Sequence, residues 1–194
     1  LKGYSDKVEI IEKGKTTTIQ TTDPFEELKK LLEKSNDQSY RYLGGAVGVV
    51  NYDAIRLVEN ITNVHNSPQP LMEFGIYDDG ILYDKIHEKL FYFYHDENRF
   101  DKLVMDDDSF GEFHSSEVTP NMDETKYSEI VNKAKKYIHD GDIFQAVLSR
   151  KFTFDTNGDN LTLYKTLRKL NPSPYMYHLK QGTKTIIGAS PEML

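Results

Sequence analysis

Apolar and β-branched residues alternate with polar ones over 7–12 (KVEIIE) and again over 16–20, with Gly14 between them. That period of two predicts a hairpin close to the N-terminus. At Asp23-Pro24 the period changes: Phe25, Leu28, Leu31 and Leu32 recur at helical spacing with charged residues opposite, and the Asp-Pro pair supplies a cap acceptor followed by a proline tolerated in the first turn. Residues 40–58 mix aromatic, β-branched and glycine residues, a pattern predicting strands. Further strands are expected at 72–77, 81–86 and 89–95, with Asp78-Asp79-Gly80 as a turn.

From Asp96 to Pro120 the chain is acidic and polar, including Asp106-Asp107-Asp108-Ser109 and His114-Ser115-Ser116-Glu117. It reads as a solvated connection between two halves, with room for a short helix at 97–106. Asn121 and Glu124 have capping-box spacing, and Tyr127, Ile130, Val131, Ala134, Tyr137 and Ile138 form a helical apolar stripe that should stop near Gly141. A strand is predicted at 143–150 (IFQAVLSR), a turn at Asn157-Gly158, a helix at 161–170 ended by Asn171-Pro172, and strands at 174–179 and 184–189.

Composition narrows the partners. With 24 basic against 31 acidic residues the net charge is −7, which disfavours nucleic acid and anionic membrane surfaces. The absence of cysteine excludes disulfides, thiolate metal ligands and a thiol nucleophile, and suits a reducing compartment. No apolar run approaches the roughly 20 residues of a membrane-spanning helix. A soluble cytoplasmic protein is the expectation.

Few local patterns carry chemistry by themselves. Gly44-Gly45-Ala46-Val47-Gly48 lacks the Gly-Lys-Ser/Thr of a phosphate loop and is followed by strand-like residues, so it reads as structural. The six histidines show no paired ligand spacing, so no metal site is expected from this chain alone. No G-x-S-x-G elbow occurs for a hydrolase triad. Two polar residues remain. In IFQAVLS, alternation puts Gln145 on the face of Ile143 and Val147, where its amide needs either neighbouring backbone or a pocket ligand as partner. In IIGASPEML, Glu192 stands just past a tight strand end. Spacing alone favours an ordinary solvated carboxylate there, whereas apolar enclosure would raise its pKa and suit it to general-acid work.

Three strings, YIHDGDIFQAVLSRKF (137–152), NPSPYMYHL (171–179) and IIGASPEML (186–194), together with GGAVGVVNYDAIRLVE (44–59) and the Asp23-Pro24-Phe25 helix start, resemble the large, chorismate-using subunit of anthranilate synthase. The resemblance runs the length of the chain in the family's order; Arg150 and Val49 depart from its commoner residues, and neither is assigned to chemistry. It implies an α+β fold with antiparallel sheets packed face to face and helices outside, residues 1–119 forming the N-terminal region and 120–194 the start of the chorismate-binding region. The implied reaction joins chorismate and ammonia to give anthranilate and pyruvate, with magnesium required and a glutaminase subunit delivering the ammonia.

By the same resemblance Glu192 takes the place of the general acid. Gln145 stands where relatives that add water carry a lysine, which favours amine addition. Pro174, Tyr175 and Met176, with Asn171 and Ser173 beside them, take the place of the pocket for the inhibitor tryptophan. Aminodeoxychorismate synthase of the folate pathway is the alternative, against which Phe144, Tyr175 and Met176 weigh. A module that binds tryptophan or the glutaminase without catalysis is another. The magnesium ligands and other chorismate-holding groups are expected beyond Leu194, so the 194 residues by themselves are expected to be inactive.

Overall fold

A computed structural model describes residues 1–32, 40, 43–61, 69–104 and 110–190. Arg41, Tyr42, His65, the Asp106–Ser109 run, Pro191 and Glu192 lie outside the described residues. The chain divides into two compact units, Leu1–Asp106 and Asp107–Leu194, and the described elements are helices with exclusively antiparallel strand pairs, an α+β architecture.

The first unit holds a five-stranded sheet. Strands β1 (Lys2–Gly3), β2 (Lys7–Glu12), β3 (Lys15–Gln20), β4 (Gly45–Val50) and β5 (Met72–Tyr77) lie in the order β3-β2-β1-β5-β4. The β2–β3 hairpin turns on Lys13 and Gly14, both at positive φ (49° and 80°), the primed geometry whose twist matches the flanking strands. Helix α1 (Pro24–Lys30) begins where expected: the Asp23 carboxylate accepts from the amides of Phe25 (3.1 Å) and Glu26 (3.0 Å). Its Leu28 joins Val8, Ala54, Leu71 and Met72 in the core. Val8 and Met72 are wholly enclosed, each contributing about 1.5–3 kcal/mol by burial.

Three expectations for this unit are corrected. Residues 40–58 are not all strand, because Tyr52–Leu57 forms a 3₁₀ helix whose Ala54 turns into the core. It is entered through Asn51, which donates from its side chain to the Pro70 carbonyl (2.5 Å) and from its backbone to Leu71 (2.8 Å). The turn expected at 78–80 shrinks to Asp78, since Asp79 and Gly80 already belong to β6 (Asp79–Asp84), which pairs with β7 (Lys89–Tyr94). At 97–106 the described residues contain a single 3₁₀ turn, Phe100–Lys102.

Asp79 is held at the start of its hairpin by a fork. Arg99 donates to both of its carboxylate oxygens (2.5 and 2.9 Å), and the Tyr92 hydroxyl donates to it at 2.7 Å. The Arg99 guanidinium foremost, then the Tyr92 hydroxyl, hold the Asp79 carboxyl below the ordinary aspartate value of 3.8. A depressed carboxyl adds stability above its unfolded pKa and loses it as pH falls through the folded one. Arg99→Gln should therefore melt below the parent chain at neutral pH, with the gap closing as pH falls from about 5 toward about 2. Paired thermal melts across that range check it, and a gap independent of pH would remove the fork as the cause.

The second unit carries β8 (Phe113–Ser115), β9 (Thr119–Pro120), α2 (Glu124–His139), β10 (Phe152–Thr153), β11 (Thr156–Gly158), α3 (Asn160–Leu170), β12 (Tyr175–Gln181) and β13 (Lys184–Ser190). β8 pairs with β11, β9 with β10, and β12 with β13. Part of the acidic stretch is thus strand rather than solvated connection, and Asn157-Gly158 lies within β11 rather than in a turn. The cap of α2 is Asp123, accepting from Lys126 at 2.7 Å. Asn121 instead pairs with Lys151, as its side chain accepts from that amide (3.0 Å) and its own amide donates to that carbonyl (2.8 Å). The end of α2 before Gly141 and the extent of α3 match the pattern.

Residues 143–150 form no strand. Alternation creates a two-faced ribbon only when a neighbouring strand takes up its backbone groups, and no described strand does so. Phe144 and Val147 are correspondingly open to solvent.

Candidate functional site

The two motifs of greatest chemical interest meet in the β12–β13 hairpin. The chain leaves α3 at Asn171, whose amide donates to Leu167 (2.8 Å), and Pro172 cannot prolong the helix. Pro174 has no N–H for a ladder, so β12 begins at Tyr175. From there the strands stay in register over seven pairs, Tyr175↔Ser190 through Gln181↔Lys184. NPSPYM and the end of IIGAS are therefore antiparallel neighbours. Beyond the Tyr175↔Ser190 pair, at the open end of the hairpin, the Ser173 hydroxyl donates to the Ser190 carbonyl.

One face of the hairpin packs on α3, where the rings of Tyr164 and His178 meet edge to face at 6.0 Å. His178 Nε2 and Gln181 Oε1 are buried without a hydrogen-bond partner among the described residues, each a costly arrangement for a polar atom. Alternation sends Tyr175 and Tyr177 to the other face, and both are substantially exposed. Tyr177 lies across its pair partner Gly188, and a Cβ at Gly188 would collide with the phenol ring. Any larger residue at 188 would displace that ring. The Tyr177–Gly188 pairing escaped sequence reasoning, although counting outward from the Gly182-Thr183 turn in register would have found it.

The predicted site residues fall as follows. Ser173 and Met176 are half-buried; Asn171, Pro174 and Tyr175 are exposed. Tyr175 and Met176 point to opposite faces of β12, so one ligand cannot take both side chains from a single face. Gln145 is exposed in a segment without strand structure; its face shared with Ile143 and Val147, an inference from alternation, does not form. Glu192 lies outside the described residues, two positions beyond the end of β13. Among the described residues no cluster of three His, Asp or Glu side chains has metal-holding geometry, and no helix is long and apolar enough to cross a membrane.

In the first unit a crevice of about 290 Å³ opens beside Leu31, Gly44, Tyr77, Asp78, His95 and Asp96, just under the usual range for small-molecule pockets. His95 donates across it to the Leu43 carbonyl (2.5 Å). Gly44-Gly45 thus leads into a strand edge rather than a strand-to-helix phosphate loop.

Residues 2–194 match the family of chorismate binding enzymes. The chain is 34% identical to anthranilate synthase component 1 of Methanothermobacter thermautotrophicus, over 100% of its own length and 42% of that protein's. It is 33% identical to the component 1 of Acetivibrio thermocellus, over 100% of the chain and 46% of the relative. The fold matches the crystal structure of anthranilate synthase component I from Streptococcus pneumoniae TIGR4 with a TM-score of 0.71 and 27% identity, covering 98% of this chain and 49% of that one. The chain spans less than half the length of these relatives.

Proposed function

We propose, from the premise that this chain belongs to the family of chorismate binding enzymes, that it forms part of the large subunit of an anthranilate synthase. The observation that carries the reading is that the whole length of this chain aligns, over 42% and 46% of theirs, with two proteins of that name at 34% and 33% identity. The reaction is addition of ammonia to the chorismate ring with loss of the ring hydroxyl, then elimination of the enolpyruvyl side chain as pyruvate, which leaves the aromatic amine.

In this reading Glu192 donates a proton to the departing hydroxyl, so that water rather than hydroxide leaves. Gln145 is a neutral amide at the nucleophile's side. It takes no proton, which suits ammonia, already a competent nucleophile, better than water. Asn171, Ser173, Pro174, Tyr175 and Met176 border the site where tryptophan inhibits. A proline-stiffened turn with either the tyrosine ring or the soft methionine on the ligand's face makes a fitting wall for an indole. Magnesium belongs to the proposed enzyme, but the described residues offer no carboxylate cluster to hold it. A glutaminase subunit supplies ammonia, and the compartment is the cytoplasm.

The test uses the full-length subunit with chorismate and ammonium in the absence of glutamine. Fluorescent anthranilate should accumulate with one equivalent of pyruvate. Consumption of chorismate without either product would overturn the reading.

A further inference from the structure

We infer that Tyr127 and Arg150 are positioning residues for the nucleophile's side of the reaction: they tether the segment that carries Gln145 along helix α2 and take up its slack. This deepens the proposed function and rests on the role given there to Gln145.

The chain that follows α2 runs back toward the start of the same helix. It turns at Gly141 (φ 84°), and the Asp142 amide donates to the Tyr137 carbonyl (3.0 Å). At the other end Lys151 is bound to Asn121 through both of its backbone groups. From Glu124 to Tyr137 the helix rises about 20 Å. The nine steps from Asp142 to Lys151 reach about 14 Å coiled and about 30 Å drawn out. Only a drawn-out chain spans the two ends, which is why 143–150 stays uncoiled without a ladder partner, yet about 10 Å of slack remains in which it could bow away from the helix. Two side chains remove slack. The Tyr127 hydroxyl donates to the Leu148 carbonyl (3.4 Å), and Arg150 Nε donates to the Met122 carbonyl (2.8 Å) with its guanidinium 5.0 Å from the centre of the Phe152 ring. Both bonds are partly buried, where water competes less well for either group. They shorten the free stretch to six steps, Asp142 to Leu148, which reach about 20 Å against a helix rise of about 15 Å from Tyr127 to Tyr137. Gln145 is the middle residue of that stretch, so the two tethers halve the room in which its amide can wander.

The test compares Tyr127→Phe, Arg150→Met and Arg150→Lys in the full-length subunit, with chorismate and ammonium varied in turn at one pH. Tyr127→Phe and Arg150→Met should each raise the KM for ammonium roughly fivefold and leave the KM for chorismate within about twofold, because the misplaced amide meets the nucleophile and not the ring. Lysine keeps a cationic donor at 150, and Arg150→Lys should stay within about twofold of the parent. A parent KM for ammonium in both tether variants, an equal rise in the KM for chorismate, or a lysine variant no better than methionine would each overturn the role. If Arg150→Met fails to fold, Tyr127→Phe, which removes a single oxygen and keeps the ring, decides by the same split. Gln145→Ala is assayed alongside. A parent KM for ammonium in that variant would bring down the role of Gln145 itself, whereas a raised one beside unchanged tether variants would bring down only the positioning role.

Discussion

Glu192→Gln in the full-length subunit is expected to reduce ammonia-dependent anthranilate formation by about 10²- to 10⁴-fold, the usual worth of a positioned general acid. Glutamine keeps the shape and hydrogen-bonding reach of the side chain but has no acidic proton. The difficulty it exposes is the departure of hydroxide, a poor leaving group that protonation converts to water. Chorismate affinity should change little, because the lost interaction belongs to the transition state. Steady-state kcat and KM with saturating ammonium distinguish the cases. A fall in kcat/KM carried by KM alone would make Glu192 a binding residue, and turnover near that of the parent would leave the carboxylate without a chemical role.

Replacing Tyr175 or Met176 by alanine in the same subunit should weaken tryptophan inhibition while leaving uninhibited turnover largely intact. The two effects should be unequal. Because neighbouring residues of β12 face opposite sides of the hairpin, a ligand that packs against one side chain meets the other residue through its backbone only. The side chain on the ligand's face should raise the inhibitory concentration roughly tenfold or more, the ordinary cost of truncating a well-packed contact. The other should change it by no more than about threefold. Inhibition curves for the two variants decide, and unchanged inhibition in both would move the tryptophan site away from this turn.

The elements that were legible in the residues are those whose cause is local. Lys13-Gly14 between alternating runs, the Asp23-Pro24 start of α1, the stripe of α2 before Gly141, and α3 ending at Asn171-Pro172 each carry their own punctuation, and each forms where expected. The failures share one source, dependence on distant partners. IFQAVLSR has the alternation of a strand but no described neighbour to pair with. Asn157-Gly158 has the composition of a turn, yet it pairs with Phe113 and His114, more than forty residues earlier. Tyr52–Leu57 coils into a 3₁₀ helix that places Ala54 in a core built from β2, α1 and β5.

The same contrast governs the candidate site. The apolar runs on either side of Gly182-Thr183 predict the two strands, and the structure pairs them into the hairpin that brings NPSPYM beside GAS, in the register a two-residue loop sets. The Ser173–Ser190 bond is not legible in this way. A serine between two prolines looks like ordinary turn composition, and its acceptor lies seventeen residues away.

The proposed enzyme puts ammonia, and not water, onto chorismate. Mass spectrometry of the products formed by the full-length subunit from chorismate and nitrogen-15-labelled ammonium tests it most directly. Labelled anthranilate and unlabelled pyruvate are expected in equal amounts. An unlabelled isochorismate or salicylate, or a labelled aminodeoxychorismate that retains its enolpyruvyl group, would contradict it.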